Sequence, residues 1–217
     1  MTPFYATLTA LAVEFNIQDK TTPLIQIRDT DRKSLAWFLG KYGFNRGVEI
    51  GVEQGAYSET LLKLNPNLEL YGVDPWKAYR TYREHVSQNK LDAFYEGTKV
   101  RLSKYNWTPI RKFSADAATD FEDGSLDFAY IDGNHNYINV VRDLAAWTPK
   151  VRSGGIISGH DFIVRTRGAY AEILHVVPVV ENWVDAHQIR PWFLFGAKDV
   201  VPGERRESTR SFMWVKE

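Results

Sequence analysis

The stretch from Gly47 to Ser58 constrains the fold most, because a short apolar run there leads directly into a turn with two glycines. The run Gly47-Val48-Glu49-Ile50 predicts a buried strand, and leucines at positions 61, 62 and 64 predict a helix after the turn. Gly51 and Gly55 would let the backbone approach a ligand closely, and free amides at the helix start would face that ligand. The pattern fits a nucleotide-type pocket or an ordinary strand-to-helix turn.

A second apolar run, residues 68–73, ends in Asp74. This spacing suits a carboxylate that accepts hydrogen bonds from the ribose hydroxyls of a ligand lying across the first turn. The pair of signals favours a nucleoside pocket over a plain turn.

The acidic residues of the turn disfavour a dinucleotide. Glu53 stands where the G-x-G-x-x-G pattern has its second glycine, and Glu49 lies just before the turn. A carboxylate at either position would repel a pyrophosphate and would attract an amino group or a sulfonium. The residues therefore favour a nucleoside that carries an amino acid.

Glu49-Ile50-Gly51 with Gly55 resembles the first motif of the class I S-adenosylmethionine-dependent methyltransferases, and Asp74 resembles their ribose-binding acid. Downstream, the chain is similar to the metal-dependent small-molecule O-methyltransferases, which include macrolide-sugar and catechol enzymes. That similarity is carried by residues 129–137, Val140, Asp143-Leu144, Trp147 and residues 154–161.

The resemblance implies S-adenosylmethionine as cofactor. The cofactor-binding residues predicted on it are Glu49, Gly51, Glu53, Gly55, Ser58, Asp74, Trp76, Asp116 and Asp132. Trp76 would pack against the cofactor, and Asp116 would accept a hydrogen bond from the adenine amine. Asp116 could instead cap a helix, because two alanines follow it.

A divalent metal is expected at two strand ends. Asp132 and Asp161 each follow an apolar run, so parallel strands would bring both carboxylates to one sheet edge, where Mg²⁺ could bind. They could also merely cap helices. Relatives usually place Asn, Asp or Glu beside the second acid, whereas this chain has His160 and Phe162; His160 as third ligand would shift preference toward Mn²⁺.

His135 is the candidate catalytic base. It lies three residues after Asp132, where the resembled catechol enzymes carry a basic residue that removes the acceptor proton. An imidazole near its ordinary pKa suits this task at neutral pH. A lone histidine is, however, more often structural.

The predicted fold is a Rossmann-like, doubly wound α/β domain spanning residues 1–217, with helices on both faces of a seven-stranded sheet. The sheet would be mostly parallel, with a C-terminal antiparallel hairpin formed by residues 192–195 and 211–215. Residues 110–113 would form the third strand, and residues 168–184 a late helix.

Two segments are predicted to lie outside this plan. Residues 1–45 would form a helical cover, with a helix at 7–15 and a second helix that Asp29 or Thr30 caps and that stops near Gly43. Residues 76–108 would form either a lid that binds the acceptor or a decorated crossover helix.

Composition restricts partners and location. The 27 basic and 27 acidic residues balance, so nucleic acid and membranes are not expected partners. With no cysteine, any metal must be held by oxygen or histidine. A cytoplasmic protein is expected, and its aromatic-rich ends could form a homodimer.

These observations predict methyl transfer to a hydroxyl of a small molecule, a sugar or a secondary metabolite, with help from a metal. An NAD(P)-dependent oxidoreductase and a non-catalytic nucleoside-binding module remain the alternatives.

Overall fold

The computed structural model describes residues 1–18, 22–79, 87–164, 174–199 and 201–217. Within these residues, eight strands form one sheet in the order β1-β7-β8-β6-β5-β2-β3-β4. The strands are β1 Leu24–Ile27, β2 Arg46–Ile50, β3 Glu69–Val73, β4 Trp107–Ile110, β5 Leu126–Ile131, β6 Val151–Phe162, β7 Trp192–Phe195 and β8 Arg210–Val215. Strand β8 runs antiparallel to both of its neighbours, and the other pairings are parallel.

Helices cover both faces of this sheet. They are α1 Pro3–Glu14, α2 Arg32–Lys41, α3 Ala56–Leu64, α4 Gln88–Leu102, α5 Ser114–Ala118, α6 Tyr137–Trp147 and α7 Val176–Ala186, with a 3-10 turn at Thr148–Lys150. One apolar layer packs α5, α6 and α7 against the sheet around Trp147. The other packs α1, α2 and α3 around Phe38. The predicted Rossmann-like architecture is therefore confirmed.

The predicted strand count was wrong, because the sheet has an eighth strand. Strand β1 pairs in parallel with β7, with Leu24 opposite Trp192, at the edge of the sheet. It lies inside residues 1–45, the segment predicted to form a helical cover, between the two helices predicted there. Its alternation of buried Ile25 and Ile27 around exposed Gln26 is only four residues long, too short for a periodic pattern to identify alone.

Several predicted boundaries also move. The third strand of the prediction, residues 110–113, is Trp107–Ile110 in the structure, and Phe113 instead precedes α5. Residues 168–173 of the predicted late helix lie outside the described residues, and α7 begins at Val176. The segment 76–108 contains α4, whereas its residues 80–86 are not described.

The cap of α2 is Asp31, not Asp29 or Thr30. The Asp31 carboxylate accepts a hydrogen bond from the Ser34 amide at 2.9 Å, and the Asp31 amide donates to the Ser34 hydroxyl at 3.3 Å. Thr30 instead donates its hydroxyl to the Ile27 carbonyl. This reciprocal pair fixes where α2 begins.

Among the described residues, no helix is both long and apolar enough to span a bilayer.

Candidate active site

A cavity of about 850 Å³ opens at the carboxyl ends of β2, β3, β5 and β6. Its wall includes the turn after β2, the first turn of α5 and the loop that joins β5 to α6. This is the edge at which an open parallel sheet binds its ligands.

The glycine turn is shaped by packing within the protein. Gly51 has φ of +87°, and a Cβ there would lie 2.0 Å from the carbonyl oxygen of Asp132. Gly55 has φ of +71°, and its Cβ would lie 2.9 Å from Thr98 on α4. Gly51 borders the cavity, whereas Gly55 does not. The structure thus explains both glycines without a ligand, and contact with a cofactor stays a prediction for them.

Asp74 ties the end of β3 to this turn. Its Oδ2 accepts hydrogen bonds from the amides of Val52 and Glu53 at 3.1 and 2.9 Å, and its Oδ1 accepts one from Trp76 at 2.7 Å. Burial raises the pKa of Asp74, and these three hydrogen bonds oppose the rise. The carboxyl group borders the cavity, as a ribose-binding group must.

Two predicted cofactor residues lie behind the cavity wall. Trp76 is fully buried, packs with Val52 and Leu91, and donates its indole N–H to the Glu53 carbonyl at 2.8 Å. Ser58 is also fully buried and donates its hydroxyl to Glu49. Both side chains support the turn, and their direct contact with a cofactor stays a prediction.

Two buried carboxyl groups face the cavity. Burial raises the pKa of Glu49 to about 8, despite the hydrogen bond from Ser58. Burial also raises the pKa of Asp143 to about 6, against a hydrogen bond from Ser114. Sequence reasoning gave Asp143 no role; the signal was an acid on the same face of α6 as Val140 and Leu144.

Asp132, His135 and Asp161 form a compact cluster in the cavity. The His135 Nε2 lies 2.9 Å from Asp161 Oδ2 and 3.3 Å from Asp132 Oδ1. One ligand atom from each residue lies within 4.8 Å of the others. Burial raises the pKa of Asp161, but the hydrogen bond and positive charge of His135 outweigh it, so the net shift is downward. Two carboxylates and an imidazole suit a divalent cation.

His160 lies beside this cluster. Its Nδ1 is 3.6 Å from Asp161 Oδ1 and 3.9 Å from Asp132 Oδ2, and its Nε2 is 3.2 Å from the Thr209 hydroxyl. His135 therefore completes the cluster more closely than the predicted third ligand His160 does.

The remaining predicted residues line the rim. Asp116 is exposed in the first turn of α5, where Phe113 is the N-cap, so the alternative that Asp116 caps the helix was wrong. Glu53 is exposed with φ of +50°. Both border the cavity. Arg32, at the start of α2, also reaches the cavity, and sequence reasoning missed it because no nearby motif marks it.

Comparison with known proteins identifies one family and many solved structures with a similar fold. A family model described as a methyltransferase domain matches residues 48–162. The uncharacterized protein y4gI of Sinorhizobium fredii is 26% identical over 184 residues, which cover 77% of this chain. The chain covers 19% of that protein, about a fifth of its length.

Two solved structures illustrate the fold. The O-methyltransferase TomG from Streptomyces achromogenes, solved in complex with SAM, has a TM-score of 0.57 and 13% identity, covering 100% of this chain and 91% of its own. A SAM-dependent O-methyltransferase from Thermotoga maritima has a TM-score of 0.56 and 12% identity, covering 85% of this chain and 64% of its own. At these identities the likeness shows a shared fold.

Proposed function

Because the chain belongs to the methyltransferase domain family, we propose that it transfers a methyl group from S-adenosylmethionine to a hydroxyl of a small molecule with the help of a divalent cation, Mg²⁺ or Mn²⁺. One observation carries the proposal. The cavity beside the glycine turn also contains the cluster of Asp132, His135 and Asp161, so one space offers both a nucleoside site and a cation site.

The cavity suits the cofactor in size and in charge. Its volume of about 850 Å³ lies within the usual range for small-molecule sites. Asp74 would bind the ribose and Asp116 the adenine amine, while Asp132, and Glu49 once a bound sulfonium has displaced its proton, would place negative charge near that sulfonium. S-adenosylmethionine supplies an electrophilic methyl group on its sulfonium. Glu53, where a dinucleotide turn has glycine, argues against NAD(P).

The cluster would prepare the acceptor. A bound divalent cation lowers the pKa of a hydroxyl that coordinates it. Asp132 and Asp161 would supply two carboxylate ligands, and their half-buried position limits competing water. His135 would complete the ligand set or accept the hydroxyl proton.

Calorimetric titration tests the proposal. S-adenosylhomocysteine, then Mg²⁺ and Mn²⁺, would be titrated into the wild type, a D132A/D161A variant and a D120A/D123A control that loses two exposed carboxylates. We expect the nucleoside to bind all three proteins and the cations to bind the wild type and the control alone. Cation binding to D132A/D161A would refute the metal site, and no nucleoside binding to the wild type would refute the methyltransferase proposal.

The two histidines can be separated by the same titration. Because His135 Nε2 lies closer to both acids than His160 Nδ1 does, H135A should weaken Mn²⁺ binding by about 10-fold or more, and H160A by less. The reverse order would identify His160 as the third ligand.

A further inference from the structure

Arg32 stands apart from the other residues of the cavity wall. Among the described residues that line the cavity, it is the one outside the matched family segment 48–162. The residues proposed to hold the cofactor and the cation all lie inside that segment. A side chain that reaches the same space from α2 is therefore placed to meet the methyl acceptor.

The structure fixes the position of the Arg32 side chain. Its Nε lies 2.8 Å from Glu207 Oε1, and its own amide donates to Glu207 Oε2 at 3.1 Å. The guanidinium lies over the ring of Tyr57 at 5.3 Å, and the Tyr57 hydroxyl donates to the Arg32 carbonyl at 2.9 Å. An arginine held in this way loses little further conformational freedom when it binds a ligand.

The terminal nitrogens of Arg32 are left for a ligand. Glu207 engages the guanidinium through Nε, and neither Nη1 nor Nη2 donates a hydrogen bond to any described residue. The side chain is 33% exposed and borders the cavity. A ligand that covers these N–H groups must offer acceptors to them, because buried donors without partners are costly.

Arg32 also lies near the candidate cation cluster. Glu207, its partner, is 3.7 Å from the Nε2 of His160, whose Nδ1 is 3.6 Å from Asp161. A ligand bound by Arg32 would thus lie next to the site proposed for the reacting hydroxyl.

We infer that Arg32 binds a carboxylate of the methyl acceptor, so that the acceptor is a hydroxylated carboxylic acid. The two parallel N–H groups of a guanidinium match the two oxygens of a carboxylate, and a neutral hydroxyl fills only part of that geometry. This inference rests on the proposed function, since it assigns the acceptor half of the same cavity.

Binding of matched ligand pairs tests the inference. Protein saturated with S-adenosylhomocysteine would be titrated with salicylate, 3,4-dihydroxybenzoate and gluconate, and with the primary amide of each. We expect at least one acid to bind about 10-fold more tightly than its amide. R32Q should weaken binding of that acid by about 10-fold and leave the amide unchanged.

Two further variants control for charge and for folding. K33Q removes a positive charge from the exposed neighbouring residue of α2 and should bind the acid as the wild type does. R32K keeps the positive charge but lacks the planar guanidinium, so its affinity for the acid should lie between those of the wild type and R32Q. Melting temperatures and S-adenosylhomocysteine binding of all variants would show that each is folded.

The outcomes separate this inference from the proposed function. If S-adenosylhomocysteine binds but no acid is preferred over its amide, or if R32Q keeps the preference, the inference is wrong and the proposed function stands. If S-adenosylhomocysteine does not bind the wild type, the proposed function fails first.

Discussion

Burial changes the charge of the residue that leads into the glycine turn. Glu49 carries the first motif, and its carboxyl is only 2% exposed and receives the Ser58 hydroxyl. With a pKa of about 8, it is mostly protonated at neutral pH. A sulfonium nearby would favour its ionised form, so we expect binding of a cationic cofactor to release a proton.

Glu49 should make the stability of the protein depend on pH. Its folded pKa is raised from 4.5 to about 8, so the protonated carboxyl stabilises the folded state fully below about pH 4.5. That stabilisation is lost as the pH rises to about 8. Urea unfolding should show a free energy that falls by roughly 1–3 kcal/mol between pH 6 and 8 in the wild type and by clearly less in E49Q, where the raised pKa of His160 still contributes a fall.

Asp143 provides the matched control for this measurement. Its folded pKa is raised only to about 6. D143N should therefore reduce the pH dependence of the free energy of unfolding between about pH 4 and 6 and leave that dependence unchanged between pH 6 and 8. An E49Q protein that keeps the wild-type slope above pH 6 would show that Glu49 ionises normally.

Gly51 can be tested against a glycine with a similar backbone. In G51A the new Cβ would lie 2.0 Å from the Asp132 carbonyl, in addition to the strain at φ of +87°. Gly43 has φ of +72° but nothing within 4 Å of its Cβ position. Denaturant unfolding should give a loss of about 1 kcal/mol for G43A and at least about 3 kcal/mol for G51A. Equal losses would mean that the turn can move away from Asp132.

At the scale of elements, the first turn of α2 connects local sequence to the site. Asp31 and Ser34 cap the helix reciprocally, and Arg32 is its first residue. The cap therefore sets the position from which the guanidinium reaches Glu207 and the cavity. A one-residue shift of the helix start would rotate Arg32 away, because successive helical residues point about 100° apart.

Removal of this cap should be measurable. D31A loses the hydrogen bond to the Ser34 amide, so its free energy of unfolding should fall by about 1 kcal/mol. Ser87, the N-cap residue of α4, makes no side-chain capping hydrogen bond, so S87A should change stability by less than about 0.5 kcal/mol. Chemical denaturation of both variants measures the difference, and equal effects would refute the role of Asp31.

At the scale of the whole molecule, distant parts of the chain meet at one edge of the sheet. The cavity draws on strand ends from β2 to β6, while Arg32 and its partner Glu207 are 175 residues apart in sequence. A ligand in this cavity would therefore contact several elements at once and stabilise the fold as a unit.

The single domain, the lid at residues 76–108, the cytoplasmic location and the homodimer stay predictions.

Thermal unfolding tests this whole-molecule effect. S-adenosylhomocysteine at about 100 times its Kd should raise the melting temperature by about 5–10 °C, because it adds roughly 2.7 kcal/mol to a protein of this size. NAD at the same concentration should leave it unchanged. A shift with NAD instead would revive the oxidoreductase alternative.

The sequence by itself determined the family and most of the sheet. The apolar run before Asp132 is a strand in the structure, Leu126–Ile131, since a long apolar run is governed by local pattern. The family, predicted from Glu49-Ile50-Gly51, Asp74 and the run around Asp132, was confirmed. The acids of β5 and β6 were expected at one edge because parallel strands align their ends, and they meet there.

Only the tertiary structure decided the rest. Residues 24–27 form strand β1 because they pair with the edge of β7, and a run of four residues is too short to predict that pairing. A glycine is required at position 51 because the carbonyl of Asp132, 81 positions later, leaves no room for a Cβ. The charge of Glu49 depends on the burial of its carboxyl group. Side-chain distances of a few ångströms decide that His135 and not His160 completes the cluster with the two acids. They also decide that Arg32 reaches the cavity wall. Such distances arise from contacts between remote segments, which no local pattern records.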